Sequence, residues 1–421
     1  MKPPRVVLLT GNHLCHNPRV MKEATALAGA GWDVEVLGAW TDASLKARDI
    51  ELSRALPFRF TPVLDLSAPG LLEKAKRLGL RLRGKAAQLL YRFAGLSSRW
   101  QLGAVVGALS KAAKGRDADL FIAHSEAALL VASHLSRRGE RVGVDIEDWF
   151  SEDLLPEHRR FRPVRFLSEL ERGLLRQGTH ATCPSKVMSD ALSRAYGCPP
   201  PAVIYNAFPW ADRKFLDGVG KDRKSRVVPS VHWFSQTIGP GRGLEDLLAS
   251  LRFVEAAAEI HLRGRPVAGF DRWIESLIPE EWRSRVFVHA LVSNQELLSR
   301  IAEHDIGFAG EMTFCRSREL TVTNKILQYL LGGLAVVASD TPGQREVAAQ
   351  AAEAVLLYPS GDAAALAGRL NTLLLSPGQM ACAKDAALRA AEGVFCWERQ
   401  EPAFLEIAGR ALGGRLDGVK I

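Results

Sequence analysis

The sequence predicts an α/β protein made of two successive Rossmann-like domains. Three observations lead there. Short apolar runs recur at the spacing of buried parallel strands, each followed by a helical pattern. The alternation pauses once, in the polar stretch 217–226, and then restarts. The length of 421 residues is too great for one ordinary core.

The elements of the first half follow in order. Val6 to Leu9 is a buried strand running into a Thr10-Gly11-Asn12 turn. Asn17-Pro18 starts a helix, with Asn as cap and Pro at the first helical position. Val20, Ala24 and Leu27 give that helix its apolar face, and Val34 to Leu37 is the next strand. Further strands are expected at 119–123, 141–146, 180–183 and 202–206, with helices at 127–135, over 169–175 and after Pro184-Ser185. In the second half strands are expected at 227–234, 259–263, 285–289, 305–309, 334–338 and 354–357. Helices are expected at 243–256, 271–278, 294–302, 324–331, 343–351 and 362–375. The domains are therefore 1–215 and 216–397, with a terminal helix at 398–421 returning to the first.

Composition narrows the class. Hydrophobic residues make up 47% and charged residues 24%, a globular balance that argues against disorder. Lys and Arg number 55 against 47 Asp and Glu, a formal charge of +8 that favours anionic partners. The six cysteines are scattered with no CxxC pair, as expected of free thiols in a reducing compartment. No secretory leader or run of about 18 apolar residues is present, so the expected location is cytoplasmic, peripheral at the inner face of a membrane.

Two segments carry chemistry in the second half. Asn324-Lys325-Ile326-Leu327-Gln328 opens a helix after the Leu320-Thr321-Val322-Thr323 loop. The N–H groups of a helix start and its partial positive charge can hold a diphosphate, which suits Lys325 in the first turn. The loop Ser235 to Leu244 holds three glycines and Arg242, whose guanidinium can fork onto phosphate oxygens. It is neither GxGxxG nor a P-loop, which weakens kinase and ATPase readings. In the first half, His124 and the acidic run starting Asp145-Ile146-Glu147 follow strands, where open α/β sheets bind ligands. His13, Cys15 and His16 offer three metal donors in one short loop, too thin a basis for a metal site, and none is expected.

These segments resemble the GT4-type retaining glycosyltransferases of the GT-B fold. NKILQYLLGGLAVVASD, from Asn324 to Asp340, resembles the family segment N-K-[LI]-[FL]-E-Y-x-x-[AG]-G-[LI]-P-V-[VI]-[AG]-[ST]-D. NPRVMKEA, from Asn17 to Ala24, followed by Leu27, Gly31 and Val34, is similar to the family's opening. Pro184-Ser185, Tyr205-Asn206, Glu346-Val347 and Cys396-Trp397 match shorter elements, while 40–115 matches poorly. The resemblance implies two Rossmann-like domains facing across a cleft and transfer of a sugar, with retention, from a nucleotide-diphosphate donor. The acceptor implied is a cell-envelope glycan or a lipid-linked one.

By that resemblance Arg242, Gly243, Thr323, Asn324 and Lys325 hold the diphosphate, while His124 and the backbone at Gly11 position the sugar. Asp145 and Glu147 orient or deprotonate the acceptor. No cofactor is implied; the donor is a co-substrate. Two departures matter. Gln328 stands where the family has a ribose-binding acid, and Leu320 stands eight positions earlier in place of the partner in its E-x7-E pair. Glu319 and Glu311 are the substitutes left open. An epimerase on the same architecture, or a partner that has lost donor binding, are the alternatives.

Residues 71–100 stand apart. Lys74, Lys76, Arg77, Arg81, Arg83, Lys85, Arg92 and Arg99 face one acid, Glu73, among interleaved leucines. The stretch suits an anionic membrane surface or a helix packed on the sheet with a solvated basic face. It shows no nucleic-acid-binding signature, and no nucleic-acid partner is expected.

Overall fold

The computed structural model describes residues 2–223 and 227–413. The chain forms two compact units. The first comprises 1–184, 189–204 and 401–421, and the second 185–188 and 205–400.

The first unit is a parallel sheet of seven strands: β1 (Arg5–Leu9), β2 (Asp33–Trp40), β3 (Arg59–Asp65), β4 (Leu120–Ala123), β5 (Val142–Asp145), β6 (His180–Cys183) and β7 (Ala202–Val203). Their order is β3-β2-β1-β4-β5-β6-β7, so the winding reverses between β1 and β4. The helices are α1 (Pro18–Gly29), α2 (Ala43–Ser53), α3 (Leu71–Ala94), α4 (Val106–Lys114), α5 (Glu126–Ser136), α6 (Pro156–Arg159), α7 (Val164–Gln177) and α8 (Lys186–Tyr196). Pro18 occupies the first turn of α1 as expected. Asn17 does not cap with its side chain. Its amide donates instead to the His13 carbonyl at 2.8 Å and to Thr10 Oγ1 at 3.3 Å, tying the β1 turn to the helix start.

The second unit has six parallel strands: β8 (Ser230–Ile238), β9 (Glu259–Pro266), β10 (Val286–His289), β11 (Ile306–Ala309), β12 (Ala335–Ser339) and β13 (Val355–Tyr358). Their order is β10-β9-β8-β11-β12-β13, with the reversal between β8 and β11. Its helices are α9 (Leu244–Ser250), α10 (Phe270–Leu277), α11 (Asn294–Ile301), α12 (Arg316–Leu320), α13 (Asn324–Gly332), α14 (Pro342–Gln350), α15 (Ala363–Leu374) and α16 (Pro377–Gly393). Helix α17 (Trp397–Ala411) begins in this unit and ends in the first, where Phe404 packs edge-on against His180.

Differences from expectation have local causes. Strand β8 runs on to Ile238 through an irregularity between Phe234 and Thr237, absorbing Ser235 to Ile238, which the sequence placed in the loop. The glycine turn is therefore shorter. The chain passes into the second unit at Ile204–Tyr205, ahead of the polar stretch 217–226. Part of that stretch is held by the second unit: Arg223 is buried and donates to the Glu303 carbonyl and the Asp305 carboxylate. The remainder, 224–226, and the end of the expected terminal helix, 414–421, lie outside the described residues.

Candidate functional site

In each sheet the reversal of winding leaves adjacent strand ends whose loops part, the place where such sheets bind ligands. In the second unit those loops follow β8 and β11. Gly243 has φ +78°, and a Cβ there would overlap the carbonyl of Gly310. Glycine thus brings the Arg242 turn into backbone contact with the turn carrying Glu311. The Glu311 amide donates to Ser339 Oγ at 2.8 Å, and the Gln344 amide donates to the same hydroxyl at 2.7 Å. Glu311 is therefore fixed from β12 and α14. Its carboxylate meets Lys325 Nζ at 2.7 Å, and that ammonium lies 5.9 Å from the centre of the Trp233 ring.

Lys325 thus has an anionic partner already. The partner is Glu311; Glu319 stands half-buried on α12 and does not make this contact. Arg242 is exposed, with one N–H on Ser235 Oγ at 3.2 Å. Thr323 is the extended residue before α13, and no side chain caps that helix start; Asn324, its first residue, is exposed. Thr323 Oγ1 and Gln328 Oε1 are both shielded from water and lack a hydrogen-bond partner. A shielded polar atom without a partner is costly unless something fills the role. The donor set here is a guanidinium, an ammonium, free helix-start amides and a hydroxyl, suited to an anion with phosphate-like oxygens.

The first unit places its reversal at β1 and β4. The Gly11 amide donates to Ser125 Oγ at 3.1 Å, and Ser125 also caps α5. A Cβ on Gly11 would lie 3.3 Å from Val105, so the turn is packed tightly from behind. His124 follows β4 directly, but its side chain points into the protein and is fully buried. Its ring nitrogens lie 3.3 Å from Glu23, 3.3 Å from Asp145 and 3.5 Å from Glu147. Arg19 closes the group. Its Nε and Nη2 donate to the two Asp145 oxygens at 2.5 and 2.8 Å, its Nη1 donates to the Ile204 carbonyl at 2.6 Å, and Glu23 is 3.2 Å away. Thr182 Oγ1 donates to Asp145 as well, at 2.7 Å.

Electrostatics follow from this crowding. Burial opposes the charged imidazolium of His124, but Glu23, Asp145 and Glu147 outweigh it and hold the group up to about 10. Burial would raise the Asp145 carboxyl, but Arg19 and His124 hold it well below the carboxylate range. Burial and the neighbouring Asp145 push Glu23 upward. Two of the expected catalytic residues, His124 and Asp145, are fully buried in this structure, where they pair with each other and Asp145 with Arg19. Glu147 differs: a quarter of its side chain is exposed. Glu23, His124 and Asp145 also bring ligand atoms within 4.8 Å of one another, yet Arg19 already occupies that space as the counter-cation. Both ring nitrogens of His13 are engaged, one by Asp49 and the other by the amides of Thr41 and Asp42.

Arg19 and Glu23 went unrecognised as site-forming residues in the sequence. Their signal was present: two opposite charges four apart, flanking the apolar positions Val20, Ala24 and Leu27 of α1. A charge on the inward side of a helix demands a buried partner.

Sheet order and the twin reversals define a GT-B-type fold of two Rossmann-like domains. Residues 16–207 match the model of the glycosyl transferase 4-like domain. No curated protein matches it in sequence. Among solved structures it is similar to sucrose-phosphate synthase from Thermosynechococcus elongatus, at 14% identity and TM-score 0.72, covering 98% of this chain and 100% of that one. The Anabaena protein HepE in complex with UDP is similar at 18% identity and TM-score 0.68, covering 97% and 100%. Trehalose 6-phosphate synthase from Burkholderia multivorans is similar at 13% identity and TM-score 0.65, covering 98% and 100%. At such identities these likenesses establish the fold.

Proposed function

We propose that the chain transfers a sugar from a nucleoside-diphosphate donor to a hydroxyl of a glycan or lipid-linked acceptor of the cell envelope, with retention. The observation that carries this reading is the Lys325–Glu311 pair beside an uncapped helix start, at the point where the second sheet reverses. HepE has been solved with UDP and with UDP-glucose, and a trehalose-6-phosphate enzyme with UDP-2-fluoro glucose, which makes a uridine donor the first to test.

In transfer, the bond between the sugar's anomeric carbon and the diphosphate oxygen breaks. A bond to the acceptor oxygen forms, and the acceptor proton passes to an oxygen of the departing diphosphate. Negative charge grows on the departing diphosphate. Arg242, Lys325 and the first amides of α13 would stabilise it. Swinging onto phosphate, Lys325 would leave Glu311 free to accept a sugar or ribose hydroxyl. Gln328 Oε1, shielded and unpartnered, suits a ribose hydroxyl. Glu147, partly exposed, would orient the acceptor.

A screen of nucleotide sugars for released nucleoside diphosphate, with Arg242→Ala and Lys325→Ala beside the parent, tests the assignment. Each variant should lose roughly 10²- to 10³-fold in turnover while melting normally. Undiminished turnover in both removes them from the mechanism. The amide at Gln328 keeps a second reading open, a GT-B protein that no longer binds donor. Titration calorimetry with UDP decides it, since that reading requires no heat of binding in the parent protein.

A further inference from the structure

Helix α3 is amphipathic in an unusual sense: its apolar stripe faces away from the protein. Leu71, Leu78, Leu82, Leu89 and Phe93 are spaced by seven, four, seven and four residues, which puts them on one side of a helix. All five are exposed, between 52% and 84%. On the opposite side Ala87 is buried, and Leu80, Gly84 and Tyr91 are half-buried. A helix that packed its leucines on the sheet would show the reverse. What holds α3 is slight and polar: Arg77 donates to the carbonyls of Leu66 and Ala68, and Gln101 donates to the Ala87 carbonyl.

Charge is arranged around that stripe. Along α3, Lys74, Arg81, Lys85 and Arg92 fall on one flank by helical position, and Lys76 and Arg83 on the other. Glu73 is the one acid of the helix, paired with Lys76 at 3.4 Å. Just beyond, Trp100 carries the guanidiniums of Arg83 and Arg99 over its ring at 5.2 and 4.9 Å. At the helix end a groove of about 660 Å³ between α3 and α7 brings Arg92, Arg165 and Tyr91 together. Leucines flanked by long basic side chains, with an aromatic ring at the edge, match a surface whose interior is apolar and whose face is anionic. No described helix is long and apolar enough to cross a bilayer, so the match is to lying on one.

We infer that the Leu71–Phe93 face of α3 docks on an anionic phospholipid surface, leucines among the acyl chains and the flanking cations on the phosphates. Two other occupants fit less well. A second copy packed stripe to stripe would bring two sets of like charges together at close range. Nucleic acid would satisfy the cations but leave the leucines in water.

Sedimentation of the full chain with vesicles of phosphatidylcholine, alone or mixed with phosphatidylglycerol, tests this. At low salt the mixed vesicles should bind at least about tenfold more protein than the neutral ones, and the excess should shrink as salt rises. The double variant Leu78→Glu/Leu82→Glu should lose binding while melting like the parent, because both positions are exposed. The triple variant Lys74→Gln/Lys85→Gln/Arg92→Gln should bind the mixed vesicles no better than neutral ones. Absence of sedimentation at low salt overturns the inference, as does equal binding to neutral vesicles. Undiminished binding by the leucine variant would reduce the contact to general charge attraction and overturn it too. A lipid-free dimer, seen by light scattering and dissolved by the same variant, would assign the face to a second copy instead. Vesicle binding needs neither donor nor acceptor, so its failure leaves the transferase reading untouched.

Discussion

Arg19 is fully buried and holds Asp145 through two hydrogen bonds, with Glu23 beside it. Arg19→Met keeps the volume and removes the cation, leaving carboxylates without their partner. A stability loss of about 3–5 kcal/mol in urea unfolding is expected. A loss under about 1 kcal/mol would mean His124 alone balances the group. At Gln328 the expected change is a gain. Gln328→Glu supplies a charged acceptor to a ribose diol and should tighten UDP binding by about fivefold by calorimetry. Unchanged affinity would separate Gln328 from the ribose. For Glu147, Glu147→Gln should lower turnover more than it raises KM, whereas a purely structural role would shift the melting temperature instead.

Among the elements, helix α13 and strand β11 set the donor side together. Tyr329 lies under Gly307, where any Cβ would overlap its ring, and donates its hydroxyl to the His232 and Phe308 carbonyls. Gly307→Ala should therefore push α13 outward and cost about 1–3 kcal/mol, with donor binding lost in step. The strands bounding this site were legible because buried parallel strands leave continuous apolar runs such as Ile306–Ala309 and Ala335–Ser339. Strand β3 and helices α2 and α4 were not assigned; Arg59–Asp65 is only half-buried and alternates weakly. The outward stripe of α3 was visible as leucines among cations, but which side faced the protein was not, because periodicity gives a face and not its direction. His124 and Asp145 were placed correctly at strand ends, yet their inward aim depends on Arg19, which is distant in sequence from Asp145.

For the molecule as a whole, the two units should answer acid differently. In the second, His232 stacks on His304 with ring centres 4.5 Å apart, and His261 lies tilted against His304 at 4.6 Å. Burial, then neighbouring positive charge, pushes His261 down to about 3; burial lowers His304 to about 4 against the pull of Asp222. Their unfolded value is about 6.5. Between that and 3–4 the unfolded chain binds more protons, so stability falls as pH falls, by up to about 1.4 kcal/mol per unit for each group. Asp222, held well below its usual range, adds to the same trend at lower pH. In the first unit, burial pushes Glu171 up to about 7. That group binds its proton more readily when folded, so its contribution survives acid and is lost as pH rises through 7, opposing His180, which burial lowers to about 4. Hydrogen exchange at pH 7 and pH 5 should therefore show β8 to β11 loosening before β1 to β6. The reverse order would sink this expectation.

The meeting of Gly243 with the Gly310 carbonyl makes shape and charge separable in the anion turn. A methyl group at that single spot leaves Arg242, Glu311 and Lys325 chemically intact while wedging their supporting loops apart. If Gly243→Ala abolishes donor capture as thoroughly as Arg242→Ala does, spacing governs selection of the ligand. If it does not, the cations suffice wherever they stand, and the turn tolerates slack.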